Sequence, residues 1–87
     1  MNSNTEAPVT VLTRQQCSLC DKAVEAVRRV CAEFEVGWTS TDVDSDRELR
    51  AEYGDRVPVV LINGREHGFW RVEEDRFRAA LRELTAG

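Results

Sequence analysis

Two hydrophobic periods alternate along the chain. Val9-Thr10-Val11-Leu12-Thr13 is a short β-branched run of the kind a buried strand needs, and a helical period follows it at once. From Cys20 onward the positions Cys20, Val24, Val27, Cys31 and Phe34 advance by four, three, four and three, which lays one inward-facing stripe along a helix. Gly37 is its expected stop. Residues Gly37 to Val43 predict a second strand, with Trp38 and Val43 its largest apolar members, and Asp44-Ser45-Asp46 is a strong helix-start signal. A short helix through Glu48, Leu49 and Tyr53 should then run to Gly54. Val57-Pro58-Val59-Val60-Leu61-Ile62 is the most strand-like run, and Asn63-Gly64 is a two-residue hairpin signal leading into an antiparallel partner over Arg65 to Trp70. From Val72 onward, behind the acidic start Glu73-Glu74-Asp75, Phe77, Ala80, Leu81 and Leu84 recur at helical spacing.

The predicted order is βαβαββα: an α/β fold with a parallel unit, an antiparallel hairpin and a closing helix, giving a four-stranded mixed sheet with flanking helices. The chain of 87 residues has room for one domain, placed at residues 9–87 behind a polar, flexible tail over residues 1–8. No internal repeat interrupts this order.

A net charge of −4, with both signs mixed along the chain, provides no basic stripe for nucleic acid. No run approaches the ~18 consecutive apolar residues of a membrane span, and the polar start lacks the apolar segment of a secretory signal, so a cytoplasmic location is expected. Three cysteines make an odd count, which suits a reducing compartment better than a secreted disulfide framework.

Cys17-Ser18-Leu19-Cys20 falls where the first strand gives way to the helix. Two thiols three positions apart in a first helical turn are close enough to form a disulfide, and the unpaired N–H groups and positive dipole end favour a thiolate there. The helical phase separates their roles. Cys20 lies on the inward stripe, whereas Cys17 precedes the helix at its solvent-facing tip and is the candidate attacking thiol. Lys22 and Arg14 favour the thiolate, and Asp21 opposes them.

The same spacing also occurs as half of a zinc site. Cys31 and His67 would nominally complete a Cys₃His set, but Cys31 stands eleven residues along the helix from Cys20, about 16 Å away at ~1.5 Å per residue. An inert pair is the remaining alternative. Cys31 itself reads as a small buried hydrophobe. His67 reads as surface or hairpin packing, against a role as proton shuttle for the thiols. Trp38 and Trp70 read as core and cover. Pro58 opens an otherwise good strand without an N–H to donate, and base rates alone (~5–6% cis) leave its peptide bond trans.

The pattern resembles the thioredoxin superfamily, and most closely its short bacterial glutaredoxin-like proteins. The matching segments are Thr13-Arg14-Gln15-Gln16-Cys17-Ser18-Leu19-Cys20 after the first strand, Val43-Asp44 closing the second, and Arg56-Val57-Pro58-Val59 opening the third. The resemblance covers Val9 to Leu84. It implies Cys17 as nucleophile, Cys20 as resolving thiol, and a cis Val57–Pro58 peptide facing them, with the Val57 backbone pairing with bound thiol or peptide. It also implies that Arg14 meets a carboxylate of glutathione. Ser18-Leu19 stands where glutaredoxins commonly have Pro-Tyr and thioredoxins Gly-Pro. Gly68 is followed by Phe69-Trp70-Arg71 in place of the Gly-Gly and paired acids that usually hold glutathione. Another low-molecular-weight thiol or a protein disulfide is then the natural partner.

Three functions compete on these grounds. The first is a thiol–disulfide oxidoreductase cycling Cys17–Cys20 on protein or low-molecular-weight mixed disulfides, with no tightly bound cofactor, a low-molecular-weight thiol as reductant and an unidentified reductase behind it. The second is a binding or redox-sensing module without turnover. The third is a metal or iron–sulfur carrier.

Overall fold

A computed structural model describes residues 7–69 and 72–86. Its elements run β1 (Val9–Thr13), α1 (Ser18–Phe34), β2 (Trp38–Asp42), α2 (Arg47–Tyr53), β3 (Val59–Ile62), β4 (Arg65–Phe69) and α3 (Glu74–Ala86). The strands form one sheet in the order β2-β1-β3-β4, with β1 and β2 parallel and the β1–β3 and β3–β4 pairs antiparallel. The expected βαβαββα order and mixed sheet are present.

Strand alternation divides the core between the two faces of the sheet. Val9 and Val11 of β1 and Val60 of β3 pack with Ala23, Val27, Val30 and Cys31 of α1 and with Phe77 and Leu81 of α3. On the other face Leu12 and Val59 pack with Val43, against Leu49 and Tyr53 from α2. The buried face of α1 is wider than the predicted stripe, since Ala23, Ala26 and Val30 are also buried while Val24 and Phe34 are only partly so. A helix held between a sheet and a second helix must hide more than one seam.

Several boundaries differ from the sequence expectation, each for a local reason. The helix ends at Phe34, not at Gly37, because Glu35 adopts the left-handed conformation (φ 55°). Its N–H donates to Ala32 O (3.3 Å) and that of Val36 to Cys31 O (3.0 Å), the paired bonds of a Schellman cap. Gly37 instead accepts from Val9 N at the mouth of the parallel pair. The second strand stops at Asp42, whose side chain accepts from Asp44 N (2.8 Å) and whose carbonyl accepts from Ser45 Oγ (2.6 Å), drawing Val43–Ser45 into a single 3₁₀ turn. Asp46 then caps α2, as its sequence position suggested.

The third strand begins at Val59, since Pro58 has no N–H for the ladder. Asn63 (φ 52°) and Gly64 (φ 82°) both take positive φ, the requirement of a type I′ hairpin. Opposite Val60 and Leu61 the partners are Gly68 and Glu66, so His67 is an extra residue, a bulge that the alternation pattern did not reveal. Of the expected tail, Pro8 is tied to the hairpin by Asn63 N–H donating to its carbonyl (2.8 Å), while residues 1–6 lie outside the described residues. Trp70, assigned above to core or cover, and Arg71 also lie outside them.

Candidate functional site

The register gathers the candidate residues at one end of the sheet. Thr13, the last residue of β1, pairs with Asp42, the last of β2; Leu12 pairs with Val59, the first of β3, which in turn pairs with Phe69, the last of β4. The loop carrying Arg14 to Cys17, the Val57-Pro58 entry to β3 and the exit of β4 therefore share one edge. It is the carboxyl edge of the parallel pair, where α/β sheets commonly place their sites.

Gln16 takes a left-handed backbone (φ 56°) that swings the chain from β1 onto α1. Cys17 follows as the N-cap in extended conformation, and its Sγ accepts from Cys20 N (3.1 Å). Cys sits where a helix ordinarily places Ser or Asp, so an orphan backbone donor points at sulfur. The two cysteines, with Cα atoms 5.2 Å apart, are joined as a disulfide. Cys17 is partly exposed and Cys20 is 2% exposed, which reproduces the inward and outward assignment made from helical phase.

Val57 is partly buried against the α2-side core, and Pro58 is among the fully buried side chains. The peptide between them is cis, against the base-rate reading and in line with the resemblance. Arg14 is engaged within the fold. Its Nε and Nη2 each donate to the Asp44 carboxylate (3.1 Å) and its Nη1 to the Gly54 carbonyl (3.2 Å), a forked contact across the 3₁₀ turn and the end of α2.

Cys31 is wholly buried, and loss of solvation pushes its thiol up to about 11. His67, thrown out of the ladder by the bulge, packs its ring on Phe77 (centroids 5.8 Å apart). Burial first, then the nearby Arg76 cation, hold its imidazole below the ordinary 6.5. Among the described residues no group of three or more His, Cys, Asp or Glu is arranged to hold a metal ion.

Two large apolar residues beside this edge received no role of their own from the sequence. Leu19, between the cysteines, is 49% exposed, and Phe69 at the end of β4 is 44% exposed. Both line a groove of about 740 Å³ together with Gly68 and Arg76. Leu19 carried a usable signal, since it is a large apolar residue off the inward stripe of α1.

Comparison with known proteins matches residues 8–82 to the family described as a glutaredoxin-like domain (DUF836). An uncharacterized protein of Mycobacterium tuberculosis is 40% identical over 84 residues, covering 91% of this chain and 87% of its own. A structural-genomics target protein of X. campestris, solved by X-ray, is 38% identical with a TM-score of 0.71, covering 86% of this chain and 96% of that one. A mutant thioredoxin from Halobacterium salinarum superposes with a TM-score of 0.65 at 20% identity, over 94% of this chain and 79% of that one, a likeness of fold.

Proposed function

Because the chain belongs to the glutaredoxin-like domain family and has a thioredoxin-type fold, we propose that it is a dithiol–disulfide oxidoreductase working through Cys17 and Cys20. The observation that carries this reading is the placement of the pair: one cysteine partly exposed at a helix N-cap, its sulfur facing a backbone N–H, the other sealed in the first turn within bonding reach.

In the reduced protein the Cys17 thiolate attacks one sulfur of a substrate disulfide. The substrate S–S bond breaks, its second sulfur leaves with the electron pair and takes a proton from water, and Cys17 is left in a mixed disulfide. Cys20, having lost its proton, attacks the Cys17 sulfur and releases the first substrate thiolate. Two electrons have passed to the substrate, and the protein is a Cys17–Cys20 disulfide that a thiol reductant restores. Backbone N–H groups at the start of α1 stabilise the Cys17 thiolate both before attack and as leaving group.

Val57, partly exposed at the same sheet edge, offers its backbone to pair with the substrate chain, and Pro58, buried behind it, holds that segment in place. Arg14 meets a substrate carboxylate by exchanging Asp44 for it. Protein disulfides and mixed disulfides of small thiols are the substrate classes. The cycle needs no bound cofactor, and a low-molecular-weight thiol serves as reductant in the cytoplasm.

Exchange with a neutral aromatic disulfide tests the assignment. Wild type turns over with excess thiol, Cys17→Ser does not, and Cys20→Ser stalls as a mixed disulfide on Cys17 that mass spectrometry detects. Equal rates for wild type and Cys17→Ser would exclude it.

A further inference from the structure

Aspartates alternate through the turn between β2 and α2, and their carboxylates go to different places. Asp42 accepts from Asp44 N (2.8 Å), and Asp46 accepts from Glu48 N (2.8 Å) and Leu49 N (3.2 Å), so both serve their own backbone. Asp44 reaches across to the loop before Cys17, where its two oxygens take Arg14 Nε and Nη2, each at 3.1 Å. Arg50 Nη1 stands 4.0 Å from the same carboxylate.

Arg14 comes three residues before the attacking sulfur, and a guanidinium is well shaped to take a carboxylate on two parallel N–H bonds. In this fold the forked edge, Nε with Nη2, is filled from within the chain, while Nη1 donates to Gly54 O (3.2 Å). A substrate carboxylate gains that edge by displacing Asp44. The exchange is unfavourable twice. The 3₁₀ turn holds Asp44 in place, with its N–H on the Asp42 side chain and Ser45 Oγ on the Asp42 carbonyl (2.6 Å), so the internal carboxylate competes at high effective concentration. Once displaced, Asp44 is an anion beside the arriving anion, and a like charge set against one class of partner is a means of rejecting that class. A neutral disulfide leaves the fork closed and meets neither penalty. With side chains 42% and 35% exposed, the Arg14–Asp44 pair adds little to stability, but discrimination requires only that the charge stand where a second carboxylate would.

We propose that Asp44 is a specificity-determining residue that closes Arg14 to outside carboxylates, so that the Cys17 thiolate reacts with neutral disulfides in preference to those carrying a carboxylate within reach of Arg14. This selectivity rests on the oxidoreductase reading, with Cys17 as the attacking thiol, and adds to it the charge of the substrate.

The test follows the first release of aromatic thiolate when the fully reduced chain meets either of two disulfides, dithiobis(2-nitrobenzoate), which carries carboxylates, or dithiodipyridine, which carries none. The ratio of the two rate constants is compared between variants, which cancels the differing reactivity of the reagents. Asp44→Asn is expected to raise the anionic-to-neutral ratio about tenfold, the effect of removing one charge a few ångströms from another at a protein surface. Asp44→Ser should do the same, whereas Asp44→Asn placed in an Arg14→Gln background should raise the ratio less than about threefold. A smaller rise than about threefold in either Asp44 variant, or a larger one that survives the loss of Arg14, would overturn the proposal. The stoichiometric attack is read whether or not the chain turns over. Charge selection without multiple turnover in excess thiol leaves the role of Asp44 standing and removes the oxidoreductase reading; turnover with an unchanged ratio does the reverse.

Discussion

The three cysteines of the chain lie within one helix and its cap, yet their surroundings differ enough to give them different chemistry. Cys17 faces an N–H donor at the N-cap, Cys20 is sealed one turn in, and Cys31 is deep in the core between α1, the sheet and α3. Desolvation lifts Cys31 from 9.0 to about 11. The native state therefore holds this proton over a pH range in which the unfolded chain has released it. Its contribution to stability is complete below pH 9 and falls as pH rises from there towards 11, by up to about 3 kcal/mol. Denaturant unfolding of wild type and Cys31→Ala between pH 8 and 11 checks this: the wild type should lose stability over the window, and the variant should lack that part of the slope. Helical spacing made the inward burial of Cys20 and Cys31 legible from sequence. It gave no sign that Arg14 would be clasped by Asp44, thirty positions away, because a forked ion pair leaves no periodic trace.

At the scale of elements, strands and helices were legible where the pattern is long, and their ends were governed by side-chain contacts that the pattern does not encode. The Val9–Thr13 run, the Asn63-Gly64 turn and the Asp46 cap follow directly from residue type. Glu35 does not, since sequence reasoning reaches for the glycine two residues on. The left-handed backbone at Glu35 costs a residue bearing a Cβ roughly 1–2 kcal/mol, part of which glycine returns as unfolded-state entropy. Glu35→Gly is expected to raise stability by about 0.5–1 kcal/mol, read as a higher urea midpoint with unchanged slope. A lower midpoint would show that the Glu35 side chain stabilises the cap by another route. The bulge at His67 was equally hidden, because one extra residue in β4 leaves the composition of the hairpin unchanged while turning the imidazole onto Phe77.

Over the whole molecule, the sheet order and register bring loops far apart in sequence to one edge, and α1 and α3 are held together at the surface beyond their shared core. Arg29 pairs with Glu74, and Arg78 with Glu33, each through two hydrogen bonds. Exposed pairs of this kind add little stability singly, but together they fix where the start of α3, with Glu73 and Arg76, stands beside the cysteines. The groove was therefore invisible in sequence, since its walls come from α1, β4 and α3 and meet only after folding. The cysteine pair was visible at once. The most direct measurement of the central claim is equilibration of the purified protein in graded thiol–disulfide buffers, followed by thiol trapping and mass spectrometry. One pair, Cys17 and Cys20, is expected to interconvert with a two-electron dependence of about 30 mV per decade while Cys31 stays reduced throughout. A pair that stays reduced in every buffer, or oxidation that consumes Cys31 in place of Cys17, would contradict the account.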